Sequence, residues 1–137
     1  MFATLYGPHD DFNLETAHVV AALIGKFCKA KKENLPEVEV WGDGTQTREL
    51  IYVEDQLEGL MMAAQSYESD TINMGTGVET TIKELAESIK KILAYQGNIV
   101  YNTNRFIGVK RKVLDIAKAK KEIGWTVKNK MHTLEEA

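Results

Sequence analysis

The chain has 137 residues, 44% hydrophobic and 27% charged, with a net charge of −3 and one cysteine. That length suits a single domain over residues 1–137 with one packed core. A lone cysteine excludes an internal disulfide framework and makes a cytoplasmic setting the expectation. No apolar run approaches the roughly 18 residues of a membrane span, and the opening MFATLYGPHDDF has no basic region followed by an apolar stretch.

Phe2-Ala3-Thr4-Leu5-Tyr6 is a short apolar run stopped by Gly7-Pro8, which predicts a buried strand entering a turn. After a polar loop, Thr16 is the expected cap of a helix over 17–32, with Val19, Val20, Leu23, Ile24 and Phe27 as its apolar stripe. Cys28 falls near that stripe and is expected to behave as a small core hydrophobe. Val38–Trp41 alternates like a strand, Gly42-Asp43-Gly44 is turn chemistry, and Arg48–Val53 is the next strand. Leu57, Leu60, Met61 and Ala64 recur at helical spacing, and Thr71–Met74 is a further strand ending in Gly75-Thr76-Gly77. Thr81 followed by Glu84 is a capping box, opening a helix whose stripe is Ile82, Leu85, Ala86, Ile89, Ile92 and Leu93. Asn98–Tyr101 reads as a strand, 102–111 as a loop and 115–123 as a basic helix. Strands alternating with helices give an α/β domain, a small mixed sheet with flanking helices.

Charge is uneven. Residues 105–130 hold nine basic and two acidic side chains. Such a block can hold phosphate, but a solvated helix surface is the leading reading on charge alone. Gly75–Thr80 nearly matches a dinucleotide-binding loop, but Thr80 stands where the third glycine belongs, and no acid follows at ribose distance. A plain strand–turn–helix joint is the expected reading. No tyrosine has a lysine four residues later, so the proton-transfer pair of the short-chain dehydrogenases is missing. No cysteine–histidine cluster has metal spacing, and His9, His18 and His132 are dispersed.

His18 lies in the expected first helical turn, with Ala22 and Gly25 on its side leaving room for a groove. Lys26 is eight residues on, about 12 Å along the axis. That separation lets an imidazole serve proton transfer at a sugar while the ammonium meets a diphosphate. Trp41 and Arg48 bracket the turn; an indole can stack on a base and a guanidinium can grip phosphate. The alternatives are a surface histidine, a strand-end aromatic and a solvent-facing arginine.

Leu5-Tyr6-Gly7-Pro8-His9-Asp10-Asp11, Ala17-His18-Val19-Val20, Val40-Trp41-Gly42-Asp43-Gly44-Thr45, Arg48-Glu49-Leu50, Ile72-Asn73-Met74-Gly75-Thr76-Gly77 and Arg111-Lys112-Val113-Leu114-Asp115 occur in order along the chain. Together they resemble the C-terminal, substrate-binding part of the GDP-L-fucose synthases, a branch of the extended short-chain dehydrogenase/reductases in the NAD-dependent epimerase/dehydratase family. The resemblance implies an NADP-dependent epimerase/reductase acting on a GDP-sugar, with most of its Rossmann domain outside the matching region. It implies that His18 is the acid of the epimerisation. It further implies that Lys26, Trp41, Arg48 and Arg111 contact the nucleotide diphosphate, and that Phe2, Ala3, Thr4 and Leu5, with His18, meet NADP.

The sequence departs from the family pattern at Thr4 (asparagine there), Ala21 (proline) and Ile107 (aspartate). Without a glycine-rich loop or a Tyr-x-x-x-Lys pair, this stretch alone is expected to be inactive and to bind no NADP by itself. The expected partners are a GDP-sugar, a separate NADP-binding chain and other copies of itself, with neither membrane nor nucleic acid. A non-catalytic nucleotide-sugar module, or an interaction protein that has lost its site, are the alternatives.

Overall fold

In a computed structural model, residues 1–14, 16–66, 70–105 and 108–126 are described; Ile107, Lys128, Lys130 and His132 fall outside them. The elements run β1 (Thr4–Tyr6), α1 (Val19–Lys32), β2 (Glu37–Trp41), β3 (Thr47–Arg48), β4 (Leu50–Tyr52), α2 (Val53–Ser66), β5 (Thr80–Thr81), α3 (Ile82–Ile92), β6 (Asn98–Asn102), β7 (Arg111–Lys112) and α4 (Ala117–Ile123). Helices flank small sheets, the α/β class expected from the pattern. The chain separates into two compact units: Met1–Pro8, Arg48–Glu79 and Lys112–Ala137 form one, and His9–Thr47 with Thr80–Arg111 form the other.

In the second unit, β2 and β6 pair in parallel, with Val38 opposite Ile99 and Val40 opposite Tyr101. A parallel pair requires a crossover, and helices are the usual means of making one. Val38 and Val40 are buried, as are Leu23 and Phe27 of α1 and Leu85, Ala86 and Ile89 of α3. Phe27 meets the Tyr95 ring edge-on at 5.5 Å, and the Tyr95 hydroxyl donates to the Leu35 carbonyl at 2.8 Å. The capping box forms as read: the Glu84 amide donates to the Thr81 hydroxyl at 3.0 Å, and the Thr81 amide donates to the Glu84 carboxylate at 2.8 Å. Both long helices of this unit end with a left-handed residue, Asn34 (φ 52) after α1 and Ala94 (φ 49) after α3. In that geometry Leu35 donates back to Ala30 and Tyr95 to Lys90, satisfying terminal carbonyls.

Two sequence expectations change here. Thr16 does not cap α1; its hydroxyl donates to the Asp11 carboxylate, and His18 occupies the N-cap position without a side-chain cap. The competing acceptor is local, within a loop turn that also binds the Asn13 amide to Asp11. Cys28 is exposed rather than buried, because the buried side of α1 runs through Leu23, Phe27 and Ala30 and leaves position 28 outside.

The first unit is built on β1 and β4, parallel with Leu5 opposite Ile51, and on a parallel bridge from Phe2 to Met74. Ile51, Met74, Ala119 and Trp125 form its core, with Ala3 and Met62 packed against them. The strand expected over Thr71–Met74 reduces to the single bridge at Met74, and the Trp125 indole donates to the next carbonyl, Gly75, at 2.8 Å, pinning the chain after α4 there. Gly124 supports that return at φ 66, a left-handed position suited to glycine.

Candidate functional site

Half-buried Lys26, on α1, reaches toward the C-terminal end of β2. Its Nζ donates to the Glu39 carbonyl at 2.9 Å and lies 4.8 Å from the centre of the Trp41 ring. Arg105, past the end of β6, brings its guanidinium carbon 5.4 Å from the same ring and its Nε 3.8 Å from the Glu39 carboxylate. Glu39 holds the group together, accepting from the Trp41 indole N–H at 3.0 Å and from the Asn102 amide at 2.7 Å. Parallel pairing explains the convergence: Trp41 sits opposite Asn102 in register, so both strands deliver side chains to one end.

The electrostatics follow from this packing. Burial pulls the Lys26 pKa below its usual value, an effect opposed by Glu39 and reinforced by Arg105. The Asn102 hydrogen bond, then that of Trp41, with help from Arg105 and Lys26, holds the Glu39 carboxyl below its ordinary range. Two cations outnumber the one carboxylate around an indole that is 45% exposed. An exposed aromatic face flanked by a surplus of positive charge suits an anionic ligand that carries a flat ring.

Of the residues singled out from sequence, the fold brings Lys26 and Trp41 together. His18 is exposed at the start of the same helix. The groove expected beside Gly25 is occupied: a side chain there would meet Leu14 at 3.3 Å and the Phe12 carbonyl at 3.7 Å. Arg111 is exposed in β7; Arg48, half-buried in β3, belongs to the other unit, which also holds half-buried Ala3 and Thr4 and exposed Phe2 and Leu5 around β1. Arg105 was not singled out from sequence. Its nearest sequence signal is membership of the basic block, which the fold disperses: Lys118, from the same block, pairs with Asp70 in the first unit.

The glycine-rich turn Gly75–Gly77 does not fit a dinucleotide pyrophosphate. The Gly77 amide already donates to the buried Glu49 carboxylate at 2.7 Å, and a side chain at Gly75 would meet that carboxylate at 2.2 Å. A phosphate loop needs free N–H groups, and here the Gly77 N–H is already taken. Among the described residues, no group of three His, Cys, Asp or Glu side chains could hold a metal ion, and no helix is long and apolar enough to cross a membrane.

Comparison with known proteins matches residues 1–75 to the NAD dependent epimerase/dehydratase family. The chain is 40% identical over 129 residues to a probable GDP-L-fucose synthase 1 of Oryza sativa subsp. japonica, covering 93% of this chain and 39% of the relative. It is 38% identical over 135 residues to the GDP-L-fucose synthase of Escherichia coli K12, covering 91% of this chain and 42% of the relative. The structure of a GDP-L-fucose synthetase from Naegleria fowleri bound to NADP superposes with a TM-score of 0.88 at 28% identity, over 99% of this chain and 42% of that one. The chain thus spans about two fifths of the length of these relatives.

Proposed function

This chain belongs to the NAD dependent epimerase/dehydratase family, and from that premise we propose that it is the GDP-sugar-binding part of a GDP-L-fucose-synthase-like, NADP-dependent epimerase/reductase. The observation that carries the proposal is that Lys26 and Arg105 both approach the Trp41 ring. In this reading the guanine ring stacks on Trp41, and Lys26 with Arg105 neutralises the diphosphate. Arg48 and Arg111 are the further nucleotide contacts that family membership suggests. His18 donates the proton during epimerisation, the work an imidazole suits near neutral pH. Phe2, Ala3, Thr4 and Leu5 in the first unit, and separately His18, are the residues that family membership suggests for cofactor contact. The cofactor, in its reduced form NADPH, would supply hydride when bound. No tyrosine of this chain has a lysine four residues on, and the Gly75–Gly77 turn is closed by Glu49. Hydride transfer therefore depends on groups outside these 137 residues, and the isolated chain binds without turnover.

Titration calorimetry with GDP-mannose and GDP tests the reading. Saturable binding is expected, weakened about tenfold or more in Trp41→Ala, the scale of a lost base–aromatic stack. Lys26→Ala is expected to weaken both ligands as well. No heat up to millimolar ligand, or undiminished binding by Trp41→Ala, overturns it.

A further inference from the structure

Glu39 is at odds with the ligand proposed above. A carboxylate beside two cations weakens their pull on a diphosphate. Yet Glu39 shares the face of β2 that carries Trp41, while Val38 and Val40 turn into the core. Pairing with Arg105 does not account for it. The two groups are 3.8 Å apart, beyond hydrogen-bond reach, and the Arg105 and Glu39 side chains are 58% and 43% exposed, where an ion pair contributes little.

Its hydrogen bonds are more specific. The Trp41 indole N–H donates to Oε1 at 3.0 Å, and the Asn102 side-chain amide donates to Oε2 at 2.7 Å. Asn102 is held in turn, its Oδ1 accepting from the Asn104 backbone amide at 3.0 Å. One donor on each oxygen fixes the direction of the carboxylate, and these bonds, that of Asn102 first, keep it ionised at neutral pH. Among the described residues each oxygen accepts one hydrogen bond, and a carboxylate oxygen has two lone pairs. Two acceptor sites, one on each oxygen, thus stand side by side next to the indole N–H.

Among the common nucleobases only guanine carries two adjacent donors on its pairing edge, the ring N1–H and the 2-amino group. Adenine and cytosine each place an acceptor nitrogen beside the amino group, and uracil flanks its one N–H with two carbonyls. An acceptor turned toward a carboxylate is left unpaired and repelled. We propose that Glu39 is the residue that selects the base: its two oxygens accept from N1–H and the 2-amino group of a guanine lying on Trp41. The proposal rests on the functional reading above and adds the cause of its preference for guanine. It also gives the carboxylate a reason to stand among cations, because it faces the base while Lys26 and Arg105 serve the diphosphate.

Calorimetric titration of the chain with GDP, inosine diphosphate and ADP tests it. Inosine diphosphate differs from GDP only in lacking the 2-amino group. GDP is expected to bind tightest, with inosine diphosphate weaker by about threefold or more, the scale of one hydrogen bond. ADP is expected to be weaker by about tenfold or more, the scale of a mismatched two-bond contact. Glu39→Gln keeps an acceptor for the Trp41 indole but turns a donor toward the base, a pattern that suits adenine. The GDP-to-ADP affinity ratio is therefore expected to fall by about tenfold or more in that variant. Equal affinity of the native chain for GDP and ADP overturns the proposal and leaves the nucleotide-binding reading standing. A loss in Glu39→Gln that is the same for all three nucleotides also overturns it, since a residue that only steadies Trp41 leaves the ratios unmoved. No binding of any of the three removes that reading and the proposal with it.

Discussion

Glu49 is 1% exposed, in a stretch otherwise built for a strand. Its two oxygens divide the work: one accepts from the Gly77 amide and the other from the Leu114 amide, each at 2.7 Å. One carboxylate thus ties three separate stretches of the first unit together. Glu49→Gln keeps the shape but has a single acceptor oxygen, and its amide nitrogen faces a donor. The expected loss is about 1–3 kcal/mol, the cost of leaving one buried partner unpaired, read as a lower urea midpoint with an unchanged slope. Sequence reading placed Glu49 in the Arg48-Glu49-Leu50 motif without giving it this role, because the amides it binds lie 28 and 65 residues away. Cys28 and Leu57 were opaque for a related reason: spacing shows that residues share a helix side, and only the neighbours decide whether that side is covered.

Among the elements, α3 was the most legible. Its start signal is local, four residues long, and forms hydrogen bond for hydrogen bond. Thr81→Ala is expected to destabilise the fold by about 1 kcal/mol, the usual cost of a lost N-cap hydroxyl. The bond also links stability to pH. The Thr81 hydroxyl, then the Thr81 amide, lowers the Glu84 pKa below its ordinary 4.5. A carboxyl depressed in the folded state contributes stability above its unfolded value, and that contribution is lost as pH falls through the lowered one. The gap in urea midpoint between the native chain and Thr81→Ala should therefore be full at pH 7 and shrink below about pH 4.5; a gap unchanged down to pH 3 would contradict the assignment. At the other extreme, β3, β5 and β7 are two residues each. Runs this short carry no periodicity, so β7 fell at the edge of what reads as a loop.

At the scale of the whole molecule, each compact unit is assembled from separated segments, three for the first and two for the second. Neither can be cut out as a continuous piece, which supports the proposal that residues 1–137 unfold as one cooperative domain. Circular dichroism and tryptophan fluorescence should report one coincident transition. Glu49→Gln in the first unit and Thr81→Ala in the second should each move that same transition. Two resolved steps, each moved by one variant alone, would refute it.

The amino-acid order by itself determined what is local or repeated along the chain: the α/β alternation, the helices and their signals, the family motifs, and Lys26 and Trp41 as residues worth watching. Tertiary structure alone decided that Lys26 and Arg105 meet over one indole, that Glu49 closes the glycine turn, and that Leu57, Leu60 and Met61 of α2 are exposed while Met62 packs on the core. Helix and strand periods are set by neighbours a few residues apart. Burial and ion pairing instead depend on which distant segments pack together, and one chain read in order does not contain that information.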